Sequence, residues 1–323
     1  MLQEKGYFSY LPISLFGSVM GLSGLSVAWE LASQLYGITL IVSQVVGWIA
    51  ILAFVILAIA YGLKIITNFD SFCSEFKNPI LKGFFGTFII SLLLLPMVIY
   101  HYSPLIAMIM WIIGVILMLL FAWHMVSFWI CSKQEQGHVT PAWIIPVVGT
   151  LDIPLASHLF GFYQRVYYLN VLALCIGLFF ALPIITLILS RILLVDKLPN
   201  KLMPTLMILV APFSVGFSAY LNIVGEIDLF ALSLFFLGLF IFLVLLPQYM
   251  TIIKCCPFRI TWWAVSFPLS ALGVSMLRVV KEFDSPYLHF LVLSYLIVFT
   301  LLMLCLITRT LKGIFNGELR ELS

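Results

Sequence analysis

The chain has 323 residues, of which 63% are hydrophobic and 9% charged, with a formal net charge of +3. An ordinary soluble domain carries roughly 25% charged residues, so this composition excludes a surface bathed mostly in water and leaves lipid as the main solvent. The net charge is too small, and too dispersed among short loops, to form a patch for nucleic acid.

The N-terminal stretch MLQEKGYFSY lacks the basic region, short apolar run and small-residue cleavage site of a signal peptide. A spanning helix needs about 20 mostly apolar residues. Ten segments meet or approach that length: 11–29, 38–63, 83–100, 104–130, 142–160, 166–190, 204–223, 229–252, 261–280 and 286–308. Their connections are short, so residues 1–323 are expected to form a single all-α transmembrane domain. Of the 16 Lys and Arg residues, only Arg165, Arg278 and Lys281 fall on the side opposite the N-terminus. Under the positive-inside rule this places both termini in the cytoplasm. Trp29, Trp129, Trp143, Trp262 and Trp263 fall near segment ends, where an aromatic belt is expected.

Every odd-numbered segment holds a proline: Pro12, Pro96, Pro146 with Pro154, Pro212 and Pro268. The odd segments also concentrate small residues such as Gly17, Gly21, Gly24, Gly149, Ser214, Gly216 and Ser218, while even segments are plain runs such as LFFLGLFIFLVLL. A mid-helix proline removes a backbone hydrogen bond at a cost of about 3 kcal/mol. In a bilayer such a break is tolerated where it packs in protein or lines a wet cavity. The period is one helical hairpin repeated five times, and the expectation is five broken helices around a central path with five plain helices outside. Packing alone is the competing explanation of each proline taken singly.

Ionisable groups are almost absent from the segments. Asp152, in GTLDIPLA, is the exception, and reads either as a protonatable coupling group or as a side chain satisfying the backbone near Pro154. His124 reads as interfacial, and Glu30 and Arg165 as solvated at the outer mouth. The six cysteines show no disulfide or zinc spacing. The vicinal pair Cys255-Cys256 is either an inert interfacial pair or a soft-metal site. Metalloprotease, serine-hydrolase and phosphate-loop motifs are all missing, which argues against an enzyme or a self-contained ATP-driven pump, and nothing in the sequence requires a cofactor. No ring of carboxylates, lysines or arginines appears, so any preference for anions rests on cytoplasmic positive charge and exposed backbone dipoles.

Three stretches carry a resemblance: FGSVMGLSGLSVAW (Phe16–Trp29), LVAPFSVGFSAY (Leu209–Tyr220) and WAVSFPLSALG (Trp263–Gly273). In that order they resemble the first, seventh and ninth helices of the tellurite-resistance/dicarboxylate transporter family, which includes bacterial TehA and the plant guard-cell slow-type anion channels. The resemblance implies ten helices in five hairpins with quasi-five-fold symmetry around a pore. It also implies a homotrimer in a bacterial inner membrane, small inorganic or organic anions as partners, and an aromatic gate. The gate maps to Phe267, with Gly17 facing it. The chain departs from the family's pattern at Ser18, where a helix-breaking proline can stand nearby, and at Asp152, an unexpected acid.

On the helical face of Phe267 lie Trp263, Ala264, Ser270, Ala271 and Val274, and the last four of these with Gly17, Gly21 and Ser214 form the expected pore lining. Pro268 is expected to aim the ring inward. Two functions follow: a gated channel for small monovalent anions occluded by Phe267, or a proton-coupled exporter of weak-acid anions (sulfite, malate or another C4-dicarboxylate, tellurite) using Asp152.

Overall fold

A computed structural model describes residues 10–322. Residues 1–9, including Lys5 and the stretch read for a leader, lie outside the described residues, as does the side chain of Cys255. Among the described residues nine helices are long and apolar enough to cross a membrane: α1 (Ile13–Tyr36), α2 (Ile41–Thr67), α3 (Lys82–Ile99), α4 (Pro104–Cys131), α6 (Tyr163–Leu194), α7 (Asn200–Val224), α8 (Leu229–Lys254), α9 (Ile260–Glu282) and α10 (Pro286–Phe315). The remaining segment, α5 (Pro141–Ser157), is shorter.

Its composition explains how α5 completes the set. Two 3₁₀ turns of four residues alternate with α-helical pieces of four and five residues. Eight residues rising ~2.0 Å and nine rising ~1.5 Å reach roughly 30 Å, the thickness of a bilayer's hydrocarbon core.

The same device recurs in every odd helix. Each opens with 3₁₀ structure and continues as α-helix: Ile13–Phe16 into α1, Lys82–Phe84 into α3, Pro141–Ile144 into α5, Asn200–Val210 into α7, and Ile260–Val265 into α9. Four of the prolines fall at these junctions, where the backbone passes from 3₁₀ to α-helical geometry within one span. Pro146, Pro154 and Pro212 stand at the first positions of their α-helical pieces, and Pro268 lies in the first turn after Val265. The turn before each is itself helical, so the missing N–H interrupts the hydrogen bonding of the span at the junction. Pro96 alone of this group sits inside an α-helix.

The odd helices form a closed ring in which α1 packs on α3, α3 on α5, α5 on α7, α7 on α9 and α9 on α1. Each even helix packs on the odd helix before it, giving five hairpins. Burial separates the two layers: 72–78% of the apolar window of each long odd helix is buried, against 17–39% for the even ones. Two tryptophans expected in a lipid-facing belt belong to the interior instead. Trp263 is buried with its Nε1 donating to Thr310 Oγ1 (2.8 Å), and buried Trp143 donates to the Pro79 carbonyl (3.3 Å).

Candidate functional site

Two narrow cavities lie inside the ring. The first, about 40 Å³, sits toward the 3₁₀ ends and is lined by Ser14, Gly17 and Met20; by Phe84, Thr87 and Ile90; by Ile144, Ile145 and Val148; by Ile208 and Ala211; and by Ile260, Thr261, Trp263, Ala264, Phe267 and Pro268. The second cavity, about 30 Å³, is lined by Ser23, Gly24 and Val27, by Leu94 and Met97, by Leu155, by Val215 and Ser218, and by Phe267, Ser270, Ala271, Val274 and Arg278. All five odd helices contribute to each cavity, and no even helix contributes to either. Phe267 is the one residue common to both linings.

Helix α9 is held in rotation from both sides. Ser266 Oγ lies 3.0 Å from the Gly17 carbonyl and 2.6 Å from that of Trp263, and Ser275 Oγ donates to the Ser214 carbonyl (2.9 Å). The close approach of α1 rests on small residues, because a Cβ at Gly21 would overlap the side chain of Ser266 and one at Gly24 that of Ser270. Ser266 and Ser270 share one face of α9, turned to α1. Phe267 lies ~100° further round, and the cavity linings show that this face is the central one.

Of the expected lining residues, Gly17 and Ala264 meet the first cavity, and Ser270, Ala271 and Val274 the second. The nearest atoms to a Cβ at Gly17 belong to Trp263, at 3.6–3.8 Å. Gly21 lines neither cavity and makes the α1–α9 contact. Ser214 lines neither cavity and faces α8 at Gly238. Asp152 is fully buried, lines neither cavity, and has no hydrogen-bond partner for either carboxylate oxygen. His124 is exposed and stacks on Phe76, Glu30 Oε1 lies 3.1 Å from His101 Nε2, and Arg165 is exposed.

Two features escape a reading of the sequence alone. The first is Arg278, counted there as an outer-side loop charge. It lines the second cavity, and its Nη1 donates to Asn222 Oδ1 (2.8 Å) and the Ser218 carbonyl (3.2 Å). It is the one ionisable side chain on either cavity wall among the described residues. Its position eleven residues after Phe267, on the same helical stripe as Ala271 and Val274, is the signal that would have found it. At the adjoining loop, burial and the Arg278 charge hold the His158 imidazole below its usual pKa range.

The second feature is a buried ion pair, Lys64 Nζ to Glu75 Oε2 at 2.6 Å. Glu75 also accepts from the Ile13 N–H (2.8 Å) and Tyr61 Oη (2.9 Å), while Lys64 donates to the Leu11 carbonyl (2.7 Å). This cluster fastens the short helix Phe69–Lys77 to the opening turn of α1.

A family model described as a voltage-dependent anion channel, SLAC1, matches residues 10–311. The chain belongs to the SLAC1/TehA family. It is 31% identical to a tellurite resistance protein TehA homolog of Haemophilus influenzae, over 82% of this chain and 80% of that protein. It is 26% identical to an uncharacterised transporter of Methanocaldococcus jannaschii, over 98% of both chains. The S-type anion channel SLAH2 of Arabidopsis thaliana is 24% identical over 84% of this chain and 53% of the plant protein. Family membership and the apolar helices together make this a multi-pass membrane anion channel or transporter.

Proposed function

We propose that the chain is a gated channel for small monovalent anions, with its conduit running along the axis of the odd-helix ring and closed by Phe267. The observation that carries this reading is that Phe267 alone borders both cavities. Every other residue on either wall belongs to one side only, so removing this ring joins the two spaces. The walls are apolar and hydroxylic with a single cationic side chain and no carboxylate, which favours anions passing over weak sites rather than tight capture. The channel sits in an inner membrane as a homotrimer with one conduit per subunit and with both termini cytoplasmic, in keeping with the Lys and Arg distribution and the family resemblance.

The proton-coupled alternative places a titrating group on the transport path. Asp152 lines neither cavity, which favours the channel. Asp152→Asn is accordingly expected to leave flux and its dependence on a pH gradient unchanged in proteoliposomes. Loss of gradient-driven uptake in that variant would favour the exporter. The channel itself is tested by voltage clamp of wild type beside Phe267→Ala with chloride, nitrate and malate exchanged in turn. A larger current in the variant, reversing with the chloride or nitrate gradient, is the expected outcome; equal currents in two folded, surface-expressed proteins overturn the gate.

A further inference from the structure

We infer that the second cavity is a binding site for one small monovalent anion of the halide or nitrate class, held between Arg278 and the hydroxyls of Ser23 and Ser218. The inference rests on the channel reading for its purpose, but its evidence is local. Most hydroxyls of the odd helices are satisfied by backbone carbonyls: Ser18 on Leu15, Thr87 on Phe84, Thr150 on Val147, Ser270 on Phe267 and Ser275 on Ser214. Ser23, Ser214 and Ser218 have no partner among the described residues; Ser214 faces α8 at Gly238, whereas Ser23 and Ser218 face the cavity. Both are buried on the wall of the second cavity, at 0% and 3% exposure, and neither Oγ has a hydrogen-bond partner. A buried hydroxyl without a partner is costly, so it marks a position where a ligand or water is expected to complete the bond.

Arg278 supplies the charge. A guanidinium carries five N–H donors, and both of its bonds to protein acceptors use Nη1. The Nη2 and Nε donors have no protein acceptor among the described residues. Asn222 fixes the orientation, since it bonds Arg278 through Oδ1 while its Nδ2 donates to the carbonyls of Pro154 (3.2 Å) and Leu155 (3.3 Å). The site therefore offers donors from α1, α7 and α9 and no acidic side chain. Its volume of about 30 Å³ is two or three times the ~10–15 Å³ that admits one water. A halide or nitrate fits that space.

The test is chloride-dependent thermal stabilisation of the purified protein in detergent, with gluconate as the oversized control, because a ligand that binds only the folded state stabilises it by RT ln(1 + [L]/Kd), so the concentration dependence of the melting temperature yields the half-saturating concentration. Wild type is expected to be stabilised by chloride and nitrate and not by gluconate. Arg278→Gln should raise the half-saturating chloride concentration by about tenfold or more, and the double variant Ser23→Ala/Ser218→Ala by about threefold or more. Absence of chloride stabilisation in wild type, or an unchanged half-saturation in the folded variants, overturns the site. If Arg278→Gln does not fold, the serine double variant decides alone, since it opens no large cavity. The readout is binding rather than current, so it separates the two readings. Chloride binding without current in Phe267→Ala would sink the channel and leave the site, and current with unaltered binding in these variants would do the reverse.

Discussion

At the scale of single residues, the site is built by pairs of small side chains that fix where one large one points. Gly21 opposes Ser266 and Gly24 opposes Ser270, so α1 and α9 touch almost backbone to backbone. Gly21→Ala is expected to destabilise the protein by about 1–3 kcal/mol through overpacking, read as a lower melting temperature in detergent. Adding Ser266→Gly should recover most of the loss; a Gly21→Ala protein as stable as wild type would show that the contact is loose. The face of α9 was legible in the sequence because Phe267, Ala271 and Val274 recur at helical spacing within one short stretch. Arg278 belongs to the same stripe but was hidden by its nearness to the segment end, where a charge ordinarily faces water. Asp152 was conspicuous by chemistry, yet sequence alone cannot tell whether a residue of a helix turns toward an axis or toward a neighbour.

At the scale of elements, the recurring unit is a 3₁₀ opening followed by an α-helix, and it governs length. The sequence showed prolines in every odd segment but not that four of them coincide with a change from 3₁₀ to α-helical geometry. A proline at such a junction and one inside an α-helix, such as Pro96, leave the same letter in the same apolar run. Nor did the sequence show how the opening turn of α1 is fastened. The buried Lys64–Glu75 pair joins residues from α2 and from the short helix after it, and Glu75 completes a free N–H at Ile13. Lys64→Met should cost about 3–5 kcal/mol because it leaves the Glu75 carboxylate buried without its cation. Lys64→Met/Glu75→Leu should be closer to wild type than Lys64→Met alone, measured by thermal unfolding in the same detergent. A double variant less stable than the single one would mean that the bonds from Ile13 and Tyr61 outweigh the charge pair.

At the scale of the whole molecule, the prolines and small residues of the odd segments already distinguish the two layers in the sequence, since helices facing lipid need only apolar bulk whereas helices facing one another need small residues and hydroxyls. What no count of spans could reveal is that the ring encloses two spaces rather than one, and that a single residue borders both. On the channel reading, this side chain alone separates the aqueous compartments. The most direct test of that claim is single-channel conductance in planar bilayers, with symmetric chloride, across the series Phe267, Phe267→Leu and Phe267→Ala. Phe217→Ala serves as the control, a fully buried phenylalanine of α7 that lines neither cavity. Conductance rising stepwise as the side chain at 267 shrinks, with Phe217→Ala matching wild type, is the predicted result. A conductance indifferent to position 267, or raised as much by Phe217→Ala, would contradict it.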